Sequence, residues 1–309
     1  MKLISIVTPC YNEEENVEDV YNQVKEVFAS LPNYRYEHIF IDNASTDKTV
    51  EKLKQIGAKD SNIKIIVNSR NFGHIRSPYY ALLQARGDAV ILLVADLQDP
   101  PQMIKDFIGK WEAGYKIVIG VKPESQESRV MFAIRRLGYY WIGRIADVKL
   151  IRNFTGFGLY DQEVMKVLRC YDDPYPYFRG MIADIGFEIA EIPYNQPRRM
   201  RGFTKNNLYT LYDIGMLGIT SYSKIPLRLA AMAGFLLSIV SFAMSVIFLL
   251  LKLFFWNTFS AGMAPILIGL FFFFSVQLFF IGLLGEYISS INTRVMKRPL
   301  VVEKERINF

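Results

Sequence analysis

Residues 89–101 read AVILLVADLQDPP. Ala89–Val94 is a continuous apolar run, and it stops at Ala95-Asp96-Leu97-Gln98-Asp99-Pro100-Pro101. A short apolar run bounded by turn residues is the pattern of a strand buried on both faces. The pattern recurs outward from this segment. Leu3–Thr8 stops at Pro9, and His38–Ile41 stops at Asp42-Asn43-Ala44-Ser45-Thr46-Asp47. Ile63–Val67 reads as a third strand and Ile117–Val121 as a fifth. Between them lie helical patterns. Val17, Val20, Val24, Val27 and Phe28 recur at helical spacing, residues 48–56 make a charged helix, Tyr79–Ala85 continues another, and one runs through Trp111. Alternating strands and helices predict an α/β fold with a mostly parallel sheet covered on both faces. Such sheets bind ligands beyond the carboxyl ends of their strands. Tyr11, Asn12 and Glu13 follow the first strand, Asp42 and Asn43 the second, Asp96 and Gln98 the fourth. Three strand ends thus aim hydrogen-bonding groups at one crevice. No GxGxxG or GxxxxGK[ST] sequence is present, so dinucleotide and P-loop readings lose support.

The C-terminal third has a different character. Leu229–Leu251 holds 23 residues without a charge, and Met263–Leu284 is a second apolar stretch. At about 1.5 Å per residue, a helix of either length covers a hydrocarbon core of roughly 30 Å. The predicted organisation is a catalytic or binding unit at 1–206, juxtamembrane amphipathic helices at 207–228, spans at 229–251 and 263–285, a loop at 252–262, and a basic tail at 286–309. Residues 208–223 carry apolar side chains at near-helical spacing and are expected to lie along the membrane surface. The net charge is +6. Its placement points to anionic head groups rather than nucleic acid. Arg198, Arg199, Arg201, Lys205, Lys224 and Arg228 precede the first span, and Arg294, Lys297, Arg298, Lys304 and Arg306 follow the second. The connecting loop has only Lys252 at its border, so both termini are expected in the cytoplasm. Two cysteines, Cys10 and Cys170, make no disulfide framework, and MKLISIVTP lacks the longer apolar run of a signal peptide. Gln277 is expected to face a partner helix. The aromatic run Phe271–Phe274 fits lipid exposure or a helix–helix contact that would make a homo-oligomer.

Four motifs occur in order: Pro9-Cys10-Tyr11-Asn12-Glu13, Asp42-Asn43-Ala44-Ser45-Thr46-Asp47, Ser69-Arg70-Asn71-Phe72-Gly73, and Ala95–Pro101. With Arg199-Met200-Arg201-Gly202-Phe203-Thr204-Lys205, which matches RxxGx[ST]K, the chain resembles family 2 glycosyltransferases of the GT-A fold. More narrowly it resembles the polyprenyl-phosphate glycosyltransferases, which include dolichol-phosphate mannose synthases and bactoprenol glucosyltransferases. The two C-terminal spans are similar to those of the bacterial members, which implies a bacterial plasma membrane location. The resemblance implies a nucleotide-sugar donor, UDP-hexose favoured, and a polyprenyl phosphate such as undecaprenyl phosphate as acceptor. The product would be a polyprenyl-phosphate sugar for cell-surface glycan modification. It also implies that Pro9, Tyr11, Asn12, Glu13, Asp42, Asn43 and Arg70 serve the nucleotide-sugar pocket. Asp96 and Gln98 would hold Mg²⁺ or Mn²⁺, since hard oxygen ligands suit these ions. Arg199, Thr204 and Lys205 would clamp phosphates near the membrane.

The chain departs from that pattern at three places. The family's usual Asp-Ala-Asp is here Val94-Ala95-Asp96, an acid is replaced by Gly156 in Asn153–Phe157, and Asn43 stands where many relatives have Asp. A sugar hydroxyl needs a general base. A phosphate monoester, with a second pKa near 6, is already mostly dianionic. The missing acid therefore suits a phosphate nucleophile, with Asp184 as the alternative carboxylate should the acceptor be an alcohol. His74 reads as a loop or surface histidine, and Arg129, Arg135 and Arg136 as either acceptor contacts or a solvated face. Two rival readings remain at this point: transfer to a lipid-linked sugar hydroxyl, and a degenerate homologue that binds nucleotide-sugar without turnover.

Overall fold

Strand β1 (Lys2–Cys10) buries Ile4, Ile6 and Val7 completely, on opposite faces of one strand, so it needs neighbours on both sides and cover above and below. A computed structural model, describing residues 1–122, 151, 153–196, 208–254 and 263–309, shows how both are supplied. β1 pairs in parallel with β2 (Tyr34–Asp42) and with β4 (Ala89–Leu92), and β2 pairs in parallel with β3 (Ile63–Asn68). Ile6 stands in register with His38 on one side and Ile91 on the other. Helices α1 (Val17–Ala29), α2 (Thr49–Lys59), α3 (Gly73–Gln84) and α4 (Ile104–Glu112) complete the crossovers, with a 3₁₀ turn at Pro101–Met103. α1 and α4 cover one face through Val20, Val24, Phe107 and Trp111. α3 covers the other through Tyr79 and Leu82. Each fully buried Ile, Leu or Phe contributes about 1.5–3 kcal/mol relative to exposure.

The alternation expected through residue 121 is present: β5 spans Ile117–Val121. Beyond it the sheet continues with elements the apolar pattern did not disclose. β6 (Phe154–Asp161) inserts between β4 and β5, antiparallel to both, and β7 (Ile189–Pro193) runs parallel to β5. Helices α5 (Gln162–Cys170) and α6 (Phe178–Asp184) lie between them. Close approach of β6 to β5 requires Gly158, because a Cβ there would lie 2.5 Å from the Val118 carbonyl oxygen. The sheet order is β7-β5-β6-β4-β1-β2-β3-β8, where β8 is the C-terminal strand Glu303–Ile307.

Downstream come α7 (Leu208–Tyr222), α8 (Ile225–Phe254) and α9 (Met263–Val295). Ile225–Met244 and Phe272–Val295 are long and apolar enough to cross a membrane, and they are 0% and 6% buried within the protein. A core helix of that composition would be covered. These instead expose Met232, Phe235, Phe242, Leu278 and Phe279. Both helices extend beyond the spans expected from the sequence. Residues 286–309, expected as a basic tail, are also ordered differently. α9 persists to Val295, and Glu303–Ile307 forms β8, antiparallel to β3 with Ile65 opposite Ile307. Lys54 pairs with Glu305 at 2.6 Å, and the Asn308 amide donates to the carbonyls of Gly57 and Ile63 at 2.8 and 2.9 Å. Beside the apolar helices, Tyr287 Oη donates to the Ser223 carbonyl at 2.9 Å and Arg294 donates to Ser221 Oγ at 2.7 Å.

His38 is fully buried in β2, with Nε2 2.8 Å from Thr8 Oγ1, and burial pushes the imidazole down to about 3. Unfolded, the same group takes up a proton near pH 6.5. Stability should therefore fall as pH drops from 6.5 towards 3, by up to about 1.4 kcal/mol per pH unit. His38→Gln should flatten that slope whatever its effect at pH 7. Unfolding in detergent at pH 7, 6 and 5 measures it, and an unchanged slope would contradict the assignment.

Candidate functional site

β1 ends at Cys10 and the chain turns sharply at Asn12, whose φ is +54°. β4 ends three residues before Ala95, and the turn that follows places Leu97 at φ +56°. These two turns open one side of a cavity of about 600 Å³. Pro9, Tyr11, Glu13 and Asn43 line it with Asp96 and Gln98. The rest of the lining includes His74 at the start of α3, Thr155 in β6, and Tyr177, Phe178 and Arg179 at the start of α6.

Other expected residues build the turns rather than the lining. The Asp42 carboxylate accepts from the Ser45 backbone N–H at 2.9 Å and from the Ser45 hydroxyl. Burial raises its pKa despite those bonds. Asn12 receives the Thr46 N–H on its Oδ1 at 2.8 Å, and its own N–H donates to Ser45 Oγ at 2.8 Å. Asn43 borders the cavity, but its amide is engaged. It donates to Asn71 Oδ1 and the Gly73 carbonyl, and accepts from Asn68 Nδ2 and the Phe72 N–H, at 2.9–3.2 Å. Arg70 is exposed, donates to the Asn71 carbonyl at 3.0 Å, and lies 4.0 Å over the Phe72 ring. Asp184 is exposed at the end of α6 and accepts from Tyr171 Oη at 3.2 Å, so the fold does not bring it to the cavity lining. Arg129, Arg135, Arg136, Arg199, Thr204 and Lys205 lie outside the described residues.

The sequence pattern missed His74, Thr155, Tyr177 and Arg179 as cavity residues. His74, expected in a loop or at the surface, instead lies in the first turn of α3 and lines the cavity; a single histidine beside the Ser69–Gly73 motif carries no signal of its own. The others belong to strand and helix segments whose place in the sheet depends on the antiparallel insertion of β6.

Asp96 Oδ1 accepts the Gln98 N–H at 3.1 Å, which closes the turn around Leu97. The Asp96 and Gln98 side chains offer one carboxylate and one amide oxygen to the cavity. Among the described residues no cluster of three or more His, Cys, Asp or Glu could hold a metal ion. The two oxygen donors fit a hard divalent cation that completes its shell with substrate phosphate oxygens. Asp99 is buried below this turn, where it accepts from Tyr194 Oη at 2.6 Å; burial pushes its carboxyl up to about 6. At Gly156 the missing acid has a geometric cause. Its φ is +107°, and a Cβ would lie 3.2 Å from Leu92 Cδ2.

Residues 5–179 match the family described as glycosyl transferase family 2. The chain belongs to that family. Its mostly parallel sheet with a strand-end cavity fits the GT-A fold. Among similar proteins, YkcC of Bacillus subtilis, an uncharacterized glycosyltransferase, is 33% identical over 96% of this chain and 92% of its own. The glycosyltransferase sll0501 of Synechocystis is 33% identical over 96% and 93%. The SfII prophage-derived bactoprenol glucosyl transferase of Shigella flexneri is 31% identical over 98% and 97%.

Asn43→Asp tests the turn chemistry. An aspartate cannot donate to the Gly73 carbonyl, so a buried acceptor pair would face each other at a cost of about 1–3 kcal/mol. The expected result is a lowered thermal midpoint and weaker nucleotide binding by calorimetry; an unchanged midpoint would show that the Asn43 network is dispensable.

Proposed function

We propose that this glycosyltransferase moves a sugar from a nucleotide-sugar, UDP-hexose favoured, onto a membrane polyprenyl phosphate with inversion. The observation that carries the reading is the cavity itself. Its lining joins the strand-end carboxylates and amide to the start of a helix packed on the segment that enters the apolar pair. The bactoprenol glucosyl transferase relatives support the same acceptor class.

In this reading Pro9, Tyr11 and Glu13 border the nucleotide, while Asp42, Asn12 and Asn43 hold the turns after β1 and β2 in shape. Arg70 stands beside this pocket, and Arg199, Thr204 and Lys205 would clamp phosphates at the membrane side. Asp96 and Gln98 would hold Mg²⁺ or Mn²⁺, which when bound supplies positive charge against the leaving diphosphate. A phosphate oxygen of the lipid attacks the anomeric carbon from the face opposite the diphosphate. The bond from that carbon to the diphosphate oxygen breaks, leaving a polyprenyl-phosphate sugar and a nucleoside diphosphate. No proton must leave the nucleophile, because it is already anionic, so the glycine at position 156 removes nothing the step requires.

The pairing of β8 with β3 supports a hairpin whose two ends meet one catalytic unit, and the basic flanks favour the cytoplasm for that unit.

Membranes containing the chain, given labelled UDP-hexoses and undecaprenyl phosphate with Mg²⁺ or Mn²⁺ or with chelator, should yield a labelled lipid only with the cation. Asp96→Asn should lower turnover by about 10² or more. Asp184→Asn should keep turnover within about threefold, since the phosphate needs no base. Loss of several orders of magnitude in Asp184→Asn, with donor binding intact, would instead favour a base and an alcohol acceptor. Donor binding without any turnover would favour a non-catalytic homologue.

A further inference from the structure

We propose that Arg179 and His74 form the subsite that receives the acceptor's phosphate, at the membrane-facing wall of the cavity. The proposal rests on the reading that the acceptor is a lipid phosphate, and it names the residues that would hold it.

Acidic and basic side chains share the cavity lining. Among the described residues lining it, the carboxylates are Glu13 and Asp96, on the strand-end side, and Arg179 is the only Lys or Arg. Asp96 with Gln98 is the side assigned to the donor diphosphate. A second phosphate entering the same cavity requires a cation elsewhere, and Arg179 supplies a planar guanidinium suited to paired phosphate oxygens. Its geometry is held from behind. Nη1 donates to the Phe154 carbonyl at 3.2 Å, and the guanidinium lies 6.0 Å from the Tyr177 ring centroid. His74 lines the cavity and lies within electrostatic reach of Arg179 and of Asp213 on α7. Burial and Arg179 lower its pKa while Asp213 opposes them. A neutral imidazole there still donates one N–H to an anion.

The surroundings suit the rest of such a ligand. Tyr79, Leu82, Leu92 and Phe178 line the same cavity and would give the first isoprene unit an apolar surface. The wall is also the one tied to the membrane segment. A Cβ on Gly180 would lie 2.4 Å from the Tyr222 ring, and one on Gly218 would lie 3.3 Å from Tyr177. The Tyr177 and Tyr222 rings, 5.9 Å apart, therefore pack closely against Gly180 of α6 and Gly218 of α7. Tyr175 Oη donates to Asp213 at 2.9 Å and fixes the loop before α6 to the same helix. α7 runs into α8 after two residues. A phosphate rising from the bilayer would meet Arg179 and His74 before it reached Asp96. A sugar hydroxyl would call for no cation at this place.

The test uses the full chain in lipid nanodiscs, with Arg179→Gln, Arg179→Lys and His74→Gln. The KM for undecaprenyl phosphate should rise about tenfold or more in Arg179→Gln and less in the other two, as expected for loss of a charge-assisted bond. The Kd for the nucleotide-sugar, measured by calorimetry without acceptor, should stay within about twofold. That split separates the subsite from a structural role, which would shift both constants together with the thermal midpoint. A parallel rise in the donor Kd would overturn the proposal by placing Arg179 on the donor diphosphate. An unchanged KM in Arg179→Gln and His74→Gln would overturn it outright. Failure of the wild-type chain to label any polyprenyl phosphate while labelling a lipid-linked sugar would instead overturn the proposed function on which it stands.

Discussion

The chain leaves its sheet, runs through two long apolar helices, and returns to pair β8 with β3. That ladder constrains everything downstream of residue 207. β8 lies at the sheet edge, with Ile307 opposite Ile65 and Arg306 opposite Ile66. The segments on both sides of the helix pair therefore belong to one folded unit. Side chains at both ends reinforce the constraint. Lys54 and Asn308 hold the returning strand, while Arg294 reaches Ser221 and lies 3.5 Å from Asp173. The apolar pair is thus fastened to the catalytic unit at its entrance and at its exit. A tail free of the sheet would leave the β3 edge unpaired.

Within the site, one motif divides its work between shape and contact. Asp42, Ser45, Asn12 and Thr46 bond to one another, and Asn43 ties two strand ends to the start of α3. Pro9, Tyr11 and Glu13 then face the cavity from the turn those bonds define. The same division holds at the second turn. Asp99 is buried against Tyr194, and Asp96 with Gln98 stays at the lining. Polar residues in a sheet-end loop must be satisfied by protein or water. Those that find protein partners are the ones that give the loop its shape.

The departures from the family pattern also have physical settings. Gly156 occupies a backbone conformation that an acidic side chain would strain, next to Leu92. Val94 lines the cavity as an apolar surface where a carboxylate was expected. Asn43 does what aspartate could not, because two of its bonds are donated. Among the described residues, the carboxylates of the lining are Glu13 and Asp96, which accords with the proposed anionic nucleophile.

Much of this was legible in the residues alone. Continuous apolar runs ending in turn residues disclosed the parallel strands, because a strand covered on both faces has no polar positions to interrupt it. The uncharged stretches after residue 228 disclosed the apolar helices for a similar reason: their environment admits no charge. The motif residues at three strand ends pointed to one crevice, and Pro9, Tyr11, Glu13, Asp96 and Gln98 do line it. Only the tertiary structure decided the rest. The antiparallel insertion of β6 leads the chain to α6, and no local pattern encodes a pairing between residues about seventy positions apart. The fold brings Arg179 into the same cavity lining as Asp96, and the packing of Gly180 and Gly218 around two tyrosines ties α6 to the helix leading into the apolar pair. Local periodicity reports which side chains must be buried, whereas the partners that bury them are chosen by the whole chain.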